Sequence, residues 1–463
     1  MAIVTAGVAP ASALLAAPPS AWLAEWAGFA ARLRFADIPA EVAAHARLVL
    51  LDCIGAIAAG AQEAEVQALA TRMIAREGGG DAPLIGLAGG ARPGTAAFLN
   101  GTAGTMLELD EGNQYARGHP AIHVVPALLA APRGDGAAML TALCLGYEIG
   151  ARVGIASKLN VAMHPHGTWG TLGAAIGVAK LHGATQAEFA QAITMASTLG
   201  LATSRRTMLE GGTVRNTYAG VSNMLGLTCW DLVRAGFEGE RDGVATIFGH
   251  VSASDFQPAE MLQGLGTRWE IARNYFKRHA ACRYTHGALD ALAQIVARTG
   301  PLRPEQVRAI AVETYVWAAQ LDSPAAPNML AAKFSIPFAL ATFLAHGAAT
   351  VPAFRGPARA DAAIQALAAR VTVDEDAALT AMLPGLRPAR VRVTLADGSV
   401  HAAEVTTNRG DIEDPFTEAE VRQKFHELAE PVFGAARATA IEEAVLALAP
   451  HSEASALVEL LAP

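Results

Sequence analysis

From residue 20 to about residue 265 the sequence carries almost no strand-like alternation; after about residue 267 it does. That change of texture limits the possible folds more than any single motif. In the first part, IPAEVAAHARLVLLDCIGAIAAG (38–60) puts proline at the start of a helix and glycine at its end, as helix termini prefer. TQAEFAQAITMASTLGLA opens on Thr185 with Glu188 three residues later, a capping-box pattern. In the second part, RAIAVETYVW (308–317) is β-branched and roughly alternating. ARVRVTLADGSVHAAEV (389–405) reads as a hairpin about Asp397-Gly398. Helical stretches such as AAKFSIPFALATFLAHG lie between these strands. A second capping box, Thr417 with Glu420, then opens an alanine-rich helical tail. The expected fold is mainly α. A large all-helical domain is built from 1–266 and 408–463, and is therefore discontinuous. A smaller α+β domain occupies 267–407.

Composition agrees with an extensive core. Of 463 residues, 52 % are hydrophobic and 17 % charged, which excludes a disordered chain. A net charge of −8 argues against a nucleic-acid surface but leaves room for a local basic pocket. Cys53, Cys144, Cys229 and Cys282 lie far apart with no C-x-x-C pair. A disulfide framework, zinc ribbon or iron–sulfur site is thus unsupported, and a reducing cytoplasm is the simplest setting. The N-terminal stretch has no Lys or Arg before Arg32. It reads as a frayed leader running into a helix rather than a secretory signal. No apolar run long enough for a membrane span is recognised elsewhere.

Polar groups gather at a few places in this apolar chain. LELDEGNQYARGHPAIHVVPALLA (107–130) holds Glu108, Asp110, Glu111, Arg117, His119 and His123. His164 and His166 precede a glycine-rich helix start. Arg205, Arg206 and Arg215 surround a Gly-Gly pair. Lys277, Arg278, His279, Arg283 and His286 fall within ten residues, and Lys333 sits in AAKFSIPF. His119 and His123 have the i, i+4 spacing of a helical metal pair, but Pro120 lies between them and spacing supplies no third ligand. No metal is expected, and His123 is read as structural. GTWGTLG (167–173) matches no phosphate-binding loop and follows no strand, so its glycines are read as close helix contacts. There is no G-x-S-x-G elbow and no cysteine signature for a nucleophile. What remains is acid–base work by histidine and carboxylate, with Lys and Arg holding an anion. That suits proton transfer next to a carboxylate.

In order, LDCIGAIAAG, ELDEGNQYARGHPAIHVVPALLA, GYEIGARVG, HPHGTWGTLGAAIGVAKLHG, FKRHAACRYTHGALDAL, AAKFSIPFALA and EVTTNRGDIEDPFTEAEV resemble the MmgE/PrpD family over about residues 25–430. The resemblance implies a helical domain made from both chain ends, a lid domain, an active site between them and a homodimer. It also implies an enzyme acting on a small-molecule polycarboxylate, without metal or organic cofactor, and without nucleic-acid or membrane partners. By that resemblance His119, His164, Asp110 and Lys277 are the catalytic set. Arg215, Arg205, Arg278, His166 and Lys333 are the substrate-binding set. Gly112 stands where the family has threonine. EGGTVRN lacks the lysine of a K-P-L-H-like stretch, so Arg215 or Arg205 supplies that charge. Cys282 stands near a place where some members have histidine. The implied function is a lyase, either a dehydratase or a decarboxylase. A dicarboxylate epimerase and a non-catalytic polycarboxylate-binding homologue are the alternatives.

Overall fold

In the computed structural model, which describes residues 20–462, the N-terminal part is a stack of helices around two of 21 residues each, Ala40–Gly60 and Gly136–Ala156. The leader read from the sequence lies outside the described residues. Both long helices pass the length and apolarity test for a membrane span, which the sequence reading had not recognised. Most of each is nevertheless buried inside the protein (72 % and 89 % of the apolar window). They are core helices wrapped by other helices, which is why they are apolar all round.

Small residues set the helix spacing. Helix Pro93–Met106 is gripped on two sides. A Cβ on Gly60 would come 1.9 Å from the Ala103 carbonyl oxygen, and a Cβ on Gly101 would come 2.8 Å from the Gly220 Cα. The glycines of 167–173 serve the packing role read from the sequence. A Cβ on Gly173 would meet the Gly146 oxygen at 3.0 Å, and one on Gly170 the His123 ring at 2.2 Å. Both capping boxes are formed, Thr185 with Glu188 and Thr417 with Glu420. The helical part also holds two small ribbons, Gly79–Pro83 with Gly90–Ala91 and Ser157–Leu159 with Ala253–Phe256. Strands of two to five residues are too short to print an alternating pattern.

The second part is built on a four-stranded sheet in the order Val371–Glu375, Val307–Thr314, Ala389–Leu395, Val400–Val405. The first pair is parallel and the others antiparallel. Ile310, Val312, Val391 and Val393 point into the core, while Arg308, Glu313 and Arg392 between them face out, as period-two geometry requires. The hairpin turns at Asp397-Gly398, where Gly398 takes φ 88°. Helices Arg283–Thr299 and Ile336–His346 pack on this sheet. The fold is thus mainly α with a smaller α+β part.

The chain's last helices return to its first. Helix Glu418–Phe433 packs on Ala40–Gly60. Its buried Lys424 Nζ donates to Asp52 Oδ1 and to the Leu109 carbonyl, each at 2.6 Å. Residue 109 lies near the start of the loop that carries the site.

Candidate active site

Helix Pro93–Met106 ends at the loop 107–119, and that loop is held in an unusual course. Glu108 and Arg117 both take left-handed backbone angles (φ 54° and 57°), uncommon for residues with a Cβ. Asn113 folds the middle of the loop. Its Oδ1 accepts from the Tyr115 and Ala116 amides at 3.0 and 2.9 Å, and its Nδ2 donates to the Glu270 carbonyl at 3.1 Å. Gly112 pairs with Tyr275 through two backbone bonds of 3.0 and 2.7 Å. A Cβ at 112 would stand 2.4 Å from Tyr275 Oη. The phenol of Tyr275 therefore occupies the space that a side chain at position 112 would need.

Two histidines of the loop-and-helix cluster have their ring orientation fixed by hydrogen bonds. His119 Nδ1 lies 2.6 Å from the Glu111 carbonyl oxygen and 3.0 Å from Asp110 Oδ2. Both neighbours only accept, so Nδ1 carries a proton and Nε2 is the atom open to a reactant. His164 is the reverse. Its Nδ1 accepts the His166 backbone N–H at 3.1 Å, so its proton sits on Nε2. Burial, reinforced by Arg215, holds His164 and His166 well below the usual imidazole range. Both are neutral near pH 7. His123 is fully enclosed, lies 3.2 Å from His166 Nδ1 through its own Nε2, and is driven down to about 3, by burial first. It supports His166 from behind, in line with its structural reading.

The cavity these rings face is lined by Glu108, Arg117, His119, His164, His166, Arg205, Met208, Arg215, Tyr275, Cys282, Arg283, Tyr284, Phe334 and Arg387. Its volume is about 30 Å³, roughly one water molecule's share of the liquid. The site is closed in this conformation. Sequence reading had placed His119, His164, His166, Arg205 and Arg215 here, and they do converge. Asp110 lies just beneath. Its carboxylate is disfavoured by burial, but His119 and Lys277 outweigh that and keep it ionised.

Other assignments need correction. Lys277 does not reach the cavity surface. It is completely buried with Nζ 3.0 Å from Glu108 Oε2 and 3.7 Å from Asp110 Oδ1, so it binds the loop's acids rather than a ligand. Lys333 is also buried behind the wall. It donates to the Met106 carbonyl at 3.1 Å, and burial brings it down to about 7. Arg278 points away, is exposed, and lines a separate cleft with His279, Arg409 and Lys424. Arg215 is present but already ion-paired with Glu108. Sequence reading had assigned no role to Arg117 or Arg283 and did not name Arg387; no local motif marks Arg387 in GLRPARV. Cys282 lines the cavity as a thiol that burial pushes up to about 11, so it is un-ionised near neutral pH.

Asp110, His119 and His166 are the one set of three or more His, Cys, Asp or Glu side chains among the described residues whose donor atoms all lie within 4.8 Å of one another. They suit a cation poorly. His119 Nδ1 is already committed, and Lys277, Arg215 and further guanidinium groups crowd the same space. The charge pattern is that of an anion site.

Comparison with known proteins agrees with the geometry. Residues 24–257 match the model of the MmgE/PrpD N-terminal domain, and residues 279–449 match the MmgE/PrpD C-terminal domain. The chain belongs to the MmgE/PrpD family. Its relatives include the cis-aconitate decarboxylase-like protein oryM of Aspergillus oryzae, 27 % identical over 474 residues, covering 95 % of this chain and 96 % of the relative. The cis-aconitate decarboxylase of Aspergillus terreus is 25 % identical over 472 residues, covering 94 % of each. In this MmgE/PrpD protein the second H-P motif supplies His164 and the first supplies His119, and the two rings stand on either side of His166.

Proposed function

We propose that this MmgE/PrpD protein is a lyase that decarboxylates an unsaturated tricarboxylate of the cis-aconitate type. Family membership and the decarboxylase relatives support a lyase-type enzyme. The observation that favours decarboxylation is the asymmetry of the histidines. Of the two H-P histidines, His119 offers a proton-exchanging atom, Nε2, whereas His164 is held neutral with its proton on Nε2. Dehydration and epimerisation each need a base and an acid; decarboxylation needs one acid.

In this mechanism guanidinium groups hold the carboxylates that remain. The departing carboxylate is placed away from those guanidinium groups, where a charge is poorly solvated and its loss as neutral CO₂ is favoured. The C–C bond breaks, and its electron pair stays on the allylic skeleton. His119 Nε2–H then delivers a proton to carbon, while Asp110 beside Nδ1 balances the charge that the protonated ring carries before transfer. The ring regains its proton from solvent once the lid opens. A cytoplasmic homodimer belongs to the same proposal.

The test is NMR in D₂O with cis-aconitate, citrate, 2-methylcitrate and iminodisuccinate. The expected result is CO₂ release from cis-aconitate with one deuterium placed on carbon. His119→Ala should slow it at least about a hundredfold with unchanged circular dichroism. Water loss from 2-methylcitrate, or α-proton exchange in iminodisuccinate without CO₂, would overturn the decarboxylase reading.

A further inference from the structure

The cations around the cavity fall into two groups. Arg215 and Lys277 are neutralised by Glu108 and Asp110, and Arg283 by Asp411. Among the described residues, Arg117, Arg205 and Arg387 meet no carboxylate within ion-pair distance. Arg117 Nη2 donates to the Gly154 and Ser157 carbonyls at 2.9 and 2.6 Å. Arg205 Nη1 donates to Gln320 Oε1 at 3.2 Å, and Arg387 Nη2 to the Gln114 carbonyl at 3.0 Å. All three line the cavity. Among the described residues, Arg205 Nε and Arg387 Nη1 are buried without a hydrogen-bond partner, as are Arg215 Nε and Arg283 Nε, and a buried guanidinium donor left unmatched is costly. Arg117 is lowered by burial first; Tyr284 acts in the opposite sense, and the like charges of Arg387 and Arg205 add to the lowering.

We infer that Arg117, Arg205 and Arg387 form a carboxylate-binding subsite separate from the Arg215–Glu108–Lys277 cluster. The three come from the loop 107–119, helix Arg205–Leu209 and the segment before strand Ala389–Leu395. Planar guanidinium forks match a carboxylate in pairs. A carboxylate held by this triad is stabilised as an anion and is the one retained through the reaction. Arg387 comes from the α+β part and Arg117 and Arg205 from the helical part, so the subsite draws on both parts of the chain. This inference rests on the polycarboxylate reading above and names the part of the site that recognises the substrate.

Calorimetric titration with tricarballylate, a saturated tricarboxylate that cannot decarboxylate, tests it. The proteins are wild type, Arg387→Gln, Arg205→Gln and Arg387→Lys, with sulfate as a second probe. The Gln variants should bind tricarballylate about 10- to 100-fold more weakly, and Arg387→Lys should recover only part of the loss because it lacks the fork. If Arg387→Gln fails to fold, Arg205→Gln, at a half-buried position, carries the test. Unchanged affinity in the folded Gln variants overturns the subsite while leaving the polycarboxylate reading intact. Wild-type binding of sulfate through these arginines, with no binding of tricarballylate, keeps the subsite and overturns that reading. Binding of neither overturns both.

Discussion

Glu111 joins two roles in one residue. Its carbonyl accepts from His119, while its carboxyl accepts from the Ala121 amide and the Tyr147 hydroxyl, each at 2.9 Å. Burial pushes it up to about 8 against those hydrogen bonds, with help from Asp110 and Asp52. The folded protein therefore keeps this proton through a pH range in which the unfolded chain, near 4.5, releases it. The stability associated with the bound proton is present below about 4.5 and lost progressively as pH rises to about 8. Urea midpoints measured from pH 5 to 8 should fall more steeply for wild type than for Glu111→Gln. Parallel curves would mean that Glu111 titrates alike in both states. At this scale the histidines were legible because H-P motifs are local. Arg387 was not, since only the tertiary fold carries it to the cavity. Arg278 was misread because it neighbours Lys277. Lys277 and its neighbours Asn274–Phe276 are all buried, and the chain bends at Arg278, which is left exposed.

At the scale of elements, the site depends on how helix Pro93–Met106 is seated, because the loop 107–119 continues from it. Gly60 allows that helix to touch Ala40–Gly60 backbone to backbone. Gly60→Ala would drive a Cβ to within 1.9 Å of the Ala103 oxygen, and backbone cannot yield as a flexible side chain can. A loss of about 1–3 kcal/mol in denaturant unfolding is expected, accompanied by reduced turnover as the loop shifts. Unfolding and turnover matching wild type would show that the two helices slide freely. The helices, their caps and the hairpin were readable from sequence, since proline, glycine, Thr-x-x-Glu and alternation all act within a few residues. The short ribbons were not, and neither was the burial of two membrane-like helices, which depends on what surrounds them.

For the whole molecule, the cavity is lined both by the loop 107–119 and by residues of the α+β part. One reciprocal clasp joins it to the loop: Arg387 Nη2 donates to the Gln114 carbonyl, and Gln114 Nε2 donates to the Gly385 carbonyl at 3.1 Å. Gln114→Ala removes half of the clasp. The expected outcome is faster hydrogen exchange over 384–388 and a KM raised about 3- to 10-fold, the worth of one such bond. Exchange equal to wild type would show that closure is held elsewhere.

The pairing of Lys424 with Asp52 also bears on how the protein is made. The two residues are separated by 372 positions. At about 5–20 residues per second, a ribosome needs roughly twenty seconds to more than a minute to travel between them. Throughout that interval the nascent helical layer has a carboxylate with no counter-ion and an open groove where Glu418–Phe433 will dock. The growing chain is then in greatest need of chaperone protection, and the loop bearing His119 gains its last support only as synthesis nears completion.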